Sequence, residues 1–345
     1  MKRWLCLATL LLAMGLLSSL PAQRTPVAIT LPTDNDAIFH GGGAAFYQYI
    51  EREFQGEKTK PWEGGRYGFV RNPVPMSEGI VYSRFHEGID IKPMRRDAHG
   101  DPLDDVRAIA DGKVVYTNKV AGYSNYGRYI VVEHLWDNSP YYSLYGHLSD
   151  IAVAAGQKVH GGERIARMGY TGEGLNQARA HLHLELNLML SKAFEGWYAH
   201  YVPREPNHHG IYNGINLTGI DIARFLLAQE KNPDLTLPRF LADEEVFYKV
   251  TLPDSADFYL RNAYPWLMAG GGAKAQSWVV SFARSGVPLR MEPNGEAITQ
   301  PTLTYVKKSA VDCSYLTRGV VAGQGAQVHL TDSGKRLMEL LSWPE

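Results

Sequence analysis

Between Ala180 and Leu188 polar and apolar residues alternate without a break: His181, Leu182, His183, Leu184, Glu185, Leu186, Asn187, Leu188. At the two-residue period of a strand, His181, His183, Glu185 and Asn187 share one face and the four leucines share the other. A helix would scatter the leucines around its circumference. Two imidazoles therefore project side by side, and burial of the leucine face fixes where they point. A second segment, Phe85-His86-Glu87-Gly88-Ile89-Asp90-Ile91, has His and Asp four residues apart. That spacing also suits a helix face, but Gly88 and the two isoleucines favour extended chain, on which His86, Gly88 and Asp90 share a face. Gly88, with no side chain, is expected to leave room there for a bound ion. A third segment, Tyr145-Gly146-His147-Leu148, ends a predicted strand and adds the imidazole of His147.

Imidazole nitrogen and carboxylate oxygen are zinc ligands, and a catalytic zinc takes three protein ligands and leaves a position for water. Such a water has a pKa of ~7, which makes hydroxide available at neutral pH. Amide hydrolysis also needs a group to manage protons and a donor for the developing oxyanion. Three ligands and two further histidines meet that requirement. Taken singly, the segments are less specific. An isolated His-x-x-x-Asp fits a surface histidine as well. His-x-His on a strand also occurs in carbonic-anhydrase-like and cupin sites, although cupins place it early, with another His on a later strand. Residue types alone leave a metal site and ordinary packed histidines both open, and they do not choose the reaction.

These residues must be positioned by short strands. Residues 81 to about 190 alternate apolar runs with turn signals, which predicts an all-β sandwich or barrel. Val106–Ala110 and Lys113–Thr117 flank Asp111-Gly112, a hairpin signal because both turn residues tolerate positive φ. Tyr129–Glu133 and Tyr141–Leu148 read as further strands, and glycines at 156, 161, 162, 169, 172 and 174 punctuate the stretch between them and the His-x-His segment. Residues 23–80 are rich in Gly, Pro and aromatics, with one helix predicted from Ala44 to Phe54 after Gly41-Gly42-Gly43. Residues 201–345 read as a smaller α+β module. Its predicted helices are Ile220–Gln229 and Asp332–Leu341, the latter capped by Thr331 or Asp332. Its predicted strands are Trp278–Phe282, Thr302–Val306 and Gln327–Leu330. Asn232-Pro233-Asp234 marks a candidate junction. The fold class is thus mainly β, with an α+β C-terminal module.

The chain of 345 residues has room for one large domain or two ordinary ones. Its net charge of -1, with no extended Lys/Arg run, gives no sign of nucleic-acid binding. Lys2 and Arg3, the apolar run Trp4–Leu20 and Leu20-Pro21-Ala22 before Gln23 read as a signal peptide over residues 1–22, with an uncleaved anchor as the alternative. Either places the remainder outside the cytoplasm, in the periplasm or extracellular space, with no stable membrane span once the signal is cleaved. Cys6 lies in that run without a lipobox-like sequence. Its removal leaves Cys313 alone, so no intrachain disulfide is expected and Cys313 reads as a small buried hydrophobe. No Gly-x-Ser-x-Gly segment supports serine hydrolase chemistry.

The ordered set of motifs resembles the lysostaphin/LytM-type zinc metallopeptidases, over roughly Phe85 to Asn187. It comprises His86-Glu87-Gly88-Ile89-Asp90, then Val106 to Val114, Tyr145-Gly146-His147-Leu148, Gly156-Gln157-Lys158-Val159, Gly169-Tyr170-Thr171-Gly172 and His181-Leu182-His183-Leu184-Glu185. The resemblance implies an antiparallel β-fold with zinc in a groove, ligated by His86, Asp90 and His183. His147 and His181 would then orient or deprotonate the water and stabilise the oxyanion. It also implies peptidoglycan peptides as substrate. The sequence departs from the family pattern at Ala180, where proline is usual, and in the long charged stretch Lys92–Asp105.

Other residues receive plainer readings. His134 is expected to pack at a strand end, and Glu185 to support a ligand or lie at a solvated edge. His208-His209 reads as a solvated loop, with adventitious metal binding as the alternative. Tyr126 and Tyr170 are expected to line the groove or cover the core edge, and His99 and His160 to sit in turns. Two alternatives to an endopeptidase are a non-catalytic regulator that activates other murein hydrolases and a structural wall-binding protein. The former predicts gaps among the five site positions, and the sequence has none.

Overall fold

A computed structural model describes residues 27–77, 79–255, 258–270 and 275–344. The expected signal peptide and Cys6 lie outside the described residues. Among those described, no helix is long and apolar enough to cross a membrane.

The N-terminal region contains a short helix α1 (Gly43–Phe46), a small hairpin of β1 (Arg52–Phe54) and β2 (Glu57–Thr59), and a longer one. In the longer hairpin β3 (Gly68–Met76) pairs antiparallel with β4 (Gly79–His86). The helix expected through Phe54 stops at Phe46. Tyr47 is extended and bridges Ile91, the Gln48 N–H donates to the Asp90 carbonyl at 2.8 Å, and the Lys92 N–H donates to the Phe46 carbonyl at 2.8 Å. These long-range sheet bonds satisfy backbone groups that a helix would otherwise have used.

The central region supplies β5 (Ile89–Ile91), β6 (Asp105–Arg107), β7 (Gly112–Asn118), β8 (Tyr129–Trp136), β9 (Ser139–Gly146), β10 (Leu148–Ile151), β11 (Lys158–Val159), β12 (Arg164–Met168) and β13 (Leu182–Met189). After helix α2 (Phe194–Tyr201) comes β14 (Leu217–Ile220). Seven strands form an antiparallel sheet in the order β11-β7-β8-β9-β13-β14, with β5 also paired to β13. A three-stranded sheet has the order β10-β12-β6. Val106, Ile165 and Met168 of the smaller sheet share a core with Val114, Ile130, Val132 and Leu182 of the larger. The result is β-rich with a multi-stranded core, and the described strands do not close into a barrel.

Asp111-Gly112 does not turn a hairpin. β6 pairs with β12 whereas β7 pairs with β8 and β11, so the dipeptide carries the chain from one sheet to the other. Neither residue has positive φ. Gly112 serves instead a close approach, since a Cβ there would stand 2.6 Å from the Glu133 carbonyl oxygen.

Beyond β14 come α3 (Ile222–Lys231), capped by the Asp221 side chain, and α4 (Leu237–Ala242), with Asn232 to Asp234 forming the turn between them. A four-stranded sheet of β15 (Tyr248–Pro253), β16 (Ser277–Phe282), β17 (Pro288–Asn294) and β18 (Thr302–Val306) comes next, with α5 (Tyr259–Ala263) between its first two strands. The strand predicted over Gln327–Leu330 is shorter. Gly325–Gln327 is a 3-10 turn, and only β20 (His329–Leu330) pairs, with β19 (Val321–Ala322). Helix α6 (Asp332–Leu341) has Thr331 as N-cap, its hydroxyl accepting from the Gly334 N–H. Among the described residues, most buried apolar side chains from Val27 to Leu341 form one cluster, and Tyr129, Val131, Tyr142, Leu144, Met189 and Leu217 form a second.

Candidate metal centre

Strand β13 organises the site. Its leucines 182, 184, 186 and 188 are fully buried in the core, as the alternation predicts. Its opposite face, carrying His183, Glu185 and Asn187, is buried too. His183 lies opposite Asp90 of β5 on one side and Gly146 of β9 on the other. Directly paired residues hold their Cβ atoms about 4.5–5.5 Å apart, so the register alone sets His183 beside Asp90. His86 is the last residue of β4, and the chain breaks at Glu87-Gly88 before β5 begins, so the continuous extended segment expected over 86–90 is interrupted. Gly88 does not make space for an ion. A Cβ there would stand 2.2 Å from the Leu184 carbonyl oxygen and 2.8 Å from Glu185 Cγ. The missing side chain lets the 86–90 turn close onto β13. His147 follows β9 with φ 61°, and His181 precedes β13, its N–H donating to the Gly169 carbonyl.

Three donor atoms converge. His86 Nε2 lies 3.1 Å from His183 Nδ1 and 3.1 Å from Asp90 Oδ1, and His183 Nδ1 lies 3.0 Å from Asp90 Oδ1. Ligands held ~2.0–2.2 Å from a tetrahedral ion stand roughly 3.3–3.6 Å from one another, so three donors at this slightly tighter spacing need only a small outward shift to share a single metal. The tautomers agree. His86 donates Nδ1–H to the Arg66 carbonyl at 2.8 Å, and His183 donates Nε2–H to Glu185 Oε1 at 2.7 Å. Each imidazole thus turns a lone pair toward the common point, where the carboxylate adds a third, and a cation is what such a donor set accommodates.

His147 and His181 are anchored in the same way. His147 donates Nδ1–H to the Thr171 carbonyl at 2.8 Å, and His181 donates Nδ1–H to the Arg179 carbonyl at 2.7 Å. Their rings meet edge to face at 4.7 Å, and His181 Nε2 lies 3.3 Å from Asp90 Oδ1. All five residues line an open groove of about 870 Å³.

The three converging donors are shifted differently, and burial holds His86 below the usual histidine range. Burial works against ionisation of Asp90, but His86, His181 and Arg71 outweigh it and hold the carboxyl well below its usual pKa. Burial likewise opposes protonation of His183, yet Asp90 and Glu185 lift it to about 9, so a proton and a metal ion compete for the Nδ1 lone pair. Burial, reinforced by His181 and His183, pushes His147 well below the usual histidine range, so this imidazole stays neutral.

The sequence pattern of peptidase family M23 matches residues 84–194, which contain all five of these residues. This segment belongs to peptidase family M23. Over 116 residues the chain is 37% identical to the lipoprotein NlpD/LppB homolog of Pseudomonas aeruginosa, covering 32% of this chain and 34% of that protein. It is 35% identical over 117 residues to the murein hydrolase activator NlpD of Escherichia coli, covering 32% and 26% respectively. An uncharacterized metalloprotease of Haemophilus influenzae is 38% identical over 105 residues, covering 30% and 19%. The chain therefore spans about a third or less of the length of these relatives. Among solved structures, the catalytic domain of lysostaphin from Staphylococcus simulans is 28% identical, with 35% of this chain and 76% of that chain covered and a TM-score of 0.24. A zinc containing peptidase from Vibrio cholerae is also 28% identical, covering 41% and 36%, with a TM-score of 0.26.

Around the M23 donors, Glu185 is no solvated edge. It is buried and accepts from His183, Tyr126 and Asn187. Tyr126 lines the groove, whereas Tyr170 lies elsewhere and donates to Asp101. His134 is buried between the Asp111 carbonyl and the Ser143 hydroxyl and stacks on Trp136. The solvated reading of His209 is corrected. It is buried among Tyr116, Tyr129 and Tyr123, and its Nε2–H donates to the Tyr123 carbonyl. His99 and His160 are exposed, and Cys313 is buried. Sequence reasoning missed Arg71, whose Nη2 donates to Asp90 Oδ2 at 2.5 Å, and Arg318, whose Nη2 donates to Glu87 Oε1 at 2.6 Å. No spacing rule could reveal either, because Arg71 arrives through the β3–β4 hairpin and Arg318 through the C-terminal region.

Proposed function

We propose that the protein is an exported zinc-dependent endopeptidase that hydrolyses peptide bonds of bacterial peptidoglycan, with His86, Asp90 and His183 as metal ligands. The observation that carries this reading is the convergence of three donor atoms within 3.0–3.1 Å of one another, with the far nitrogen of each imidazole already committed. Zinc suits this mixed imidazole and carboxylate set and, when bound, supplies a water of pKa ~7.

The remaining work falls to the chain. His147 is neutral and its Nδ1–H is occupied by Thr171, so only Nε2 is free, as a proton acceptor. It serves as general base. His181, anchored by Arg179 with its Nε2 facing the centre beside the Asp90 carboxylate, stabilises the oxyanion that develops as the substrate carbonyl is attacked, acting as an imidazolium because only that form donates from both ring nitrogens. The open groove accepts an extended peptide, as a cross-linked polymer requires. In this reading residues 81–200 carry the chemistry, residues 23–80 and 201–345 buttress them, and the protein works in the periplasm or outside the cell.

A second reading is an activator of other murein hydrolases, favoured by the name of the Escherichia coli relative. The presence of all five site residues supports the enzyme instead. Digestion of purified peptidoglycan, with mass analysis of the soluble products, distinguishes the two. The endopeptidase releases fragments with new amino termini, loses this activity to a chelator and regains it with zinc. Release only after an amidase is added would favour the activator.

A further inference from the structure

Two of the three donors are held from outside the M23 segment. The matched segment begins at residue 84, yet His86 Nδ1 donates to the carbonyl of Arg66, and Asp90 Oδ2 accepts from Arg71. Arg71 is itself fixed, because its Nε donates to the Gly64 carbonyl at 2.9 Å. The backbone of Gly65 runs alongside, where a Cβ would stand 3.4 Å from Asp90 Cβ. The Asp90 carboxylate is therefore divided between two tasks. Oδ1 faces His86 and His183, while Oδ2 is bound by the guanidinium of Arg71, whose side chain is only 22% exposed. A carboxylate free to turn about its Cβ–Cγ bond could present either oxygen or both. A single charge-assisted bond from a guanidinium that is itself held on the Gly64 carbonyl restricts that freedom.

We propose that Arg71 is a positioning residue of the metal centre, holding Asp90 so that Oδ1 alone is offered as ligand, and that the N-terminal hairpin is thus part of the centre. This rests on the zinc-peptidase reading. Two effects of Arg71 oppose each other. Its fixed geometry favours binding, whereas its positive charge repels a cation. The sign of the change on its removal tells which dominates, and weaker binding, the mark of geometry, is expected. Arg84, paired across the hairpin from Arg71, lines the same groove and is not among the hydrogen-bond or ion-pair partners of Asp90, so its removal takes a positive charge from the groove without removing a bond to the carboxylate.

The test is the equilibrium zinc affinity of the full chain, measured by competition with a chromophoric chelator. The variants are Arg71→Ala, Arg71→Met and Arg84→Ala, with folding followed by circular dichroism. Loss of an outer partner of a metal ligand typically costs about 10–100-fold in affinity, and both Arg71 variants are expected in that range, with Arg84→Ala unchanged or slightly tighter. Met keeps the side-chain stem on the hairpin, so it carries the test if the Ala variant fails to fold. Unchanged or tighter binding in a folded Arg71 variant overturns the proposal and leaves the zinc reading standing. A wild-type protein that binds no zinc overturns both.

Discussion

His183 donates its Nε2–H to Oε1 of Glu185, 2.7 Å away and two residues along the same strand. Strand geometry makes this contact available, because alternate residues share a face. It fixes the tautomer that presents Nδ1 to Asp90. Glu185→Gln keeps an acceptor but removes the charge, and the expected result is zinc binding weaker by about 10-fold or more, read by chelator competition. Tyr126→Phe removes only one donor to the same carboxylate and should have a much smaller effect.

The proposed ligands His86, Asp90 and His183 and the two outer histidines should separate on mutation. His147→Ala and His181→Ala are expected to retain zinc by metal analysis while hydrolysis of peptidoglycan falls by about 10²–10⁴-fold, the usual scale for a proton-transfer or oxyanion group. Asp90→Ala should lose the metal itself. Full zinc occupancy in that variant would contradict its role as a ligand.

Gly88→Ala places a methyl group 2.2 Å from the backbone oxygen of Leu184. Backbone on both sides cannot yield as a flexible side chain could, so a loss of about 1–3 kcal/mol in urea denaturation is expected. The same displacement separates His86 and Asp90 from His183, and zinc affinity should fall with stability. Wild-type stability in this variant would show that the turn does not need to lie so close to β13.

His134 gives a pH dependence independent of the metal. Burial lowers its pKa from 6.5 to about 4. The folded state then binds fewer protons than the unfolded state between those two values, so stability rises with pH through that window and is constant above it. Acidification from neutral pH to pH ~4 should therefore cost roughly 3 kcal/mol from this residue. His134→Gln, which cannot titrate, should show a correspondingly shallower loss in denaturation series at the two pH values. An equal slope in the two proteins would remove His134 from the acid response.

The strands that alternate polar and apolar residues are legible from residue order alone. Strand β13 and helix α6 follow their local patterns, because a buried leucine face or an N-cap threonine acts within a few residues. The failures share a cause. Residues 47–50 leave the helix that their spacing suggests because Ile91 and Asp90 offer backbone partners. Asp111-Gly112 spans two sheets because β6 and β7 find separate long-range neighbours. In each case a contact distant in the chain outweighs a local preference of about 1 kcal/mol or less.

The sequence by itself determined which side chains are available for metal chemistry and, through strand period, that His181 and His183 share a face. Tertiary structure alone decided that His86 and Asp90 meet His183, that Gly88 serves a close backbone approach and that Arg71 grips Asp90. Periodicity reports which way a side chain points along its own strand, whereas the distance between two strands depends on how buried surfaces from the whole chain pack together.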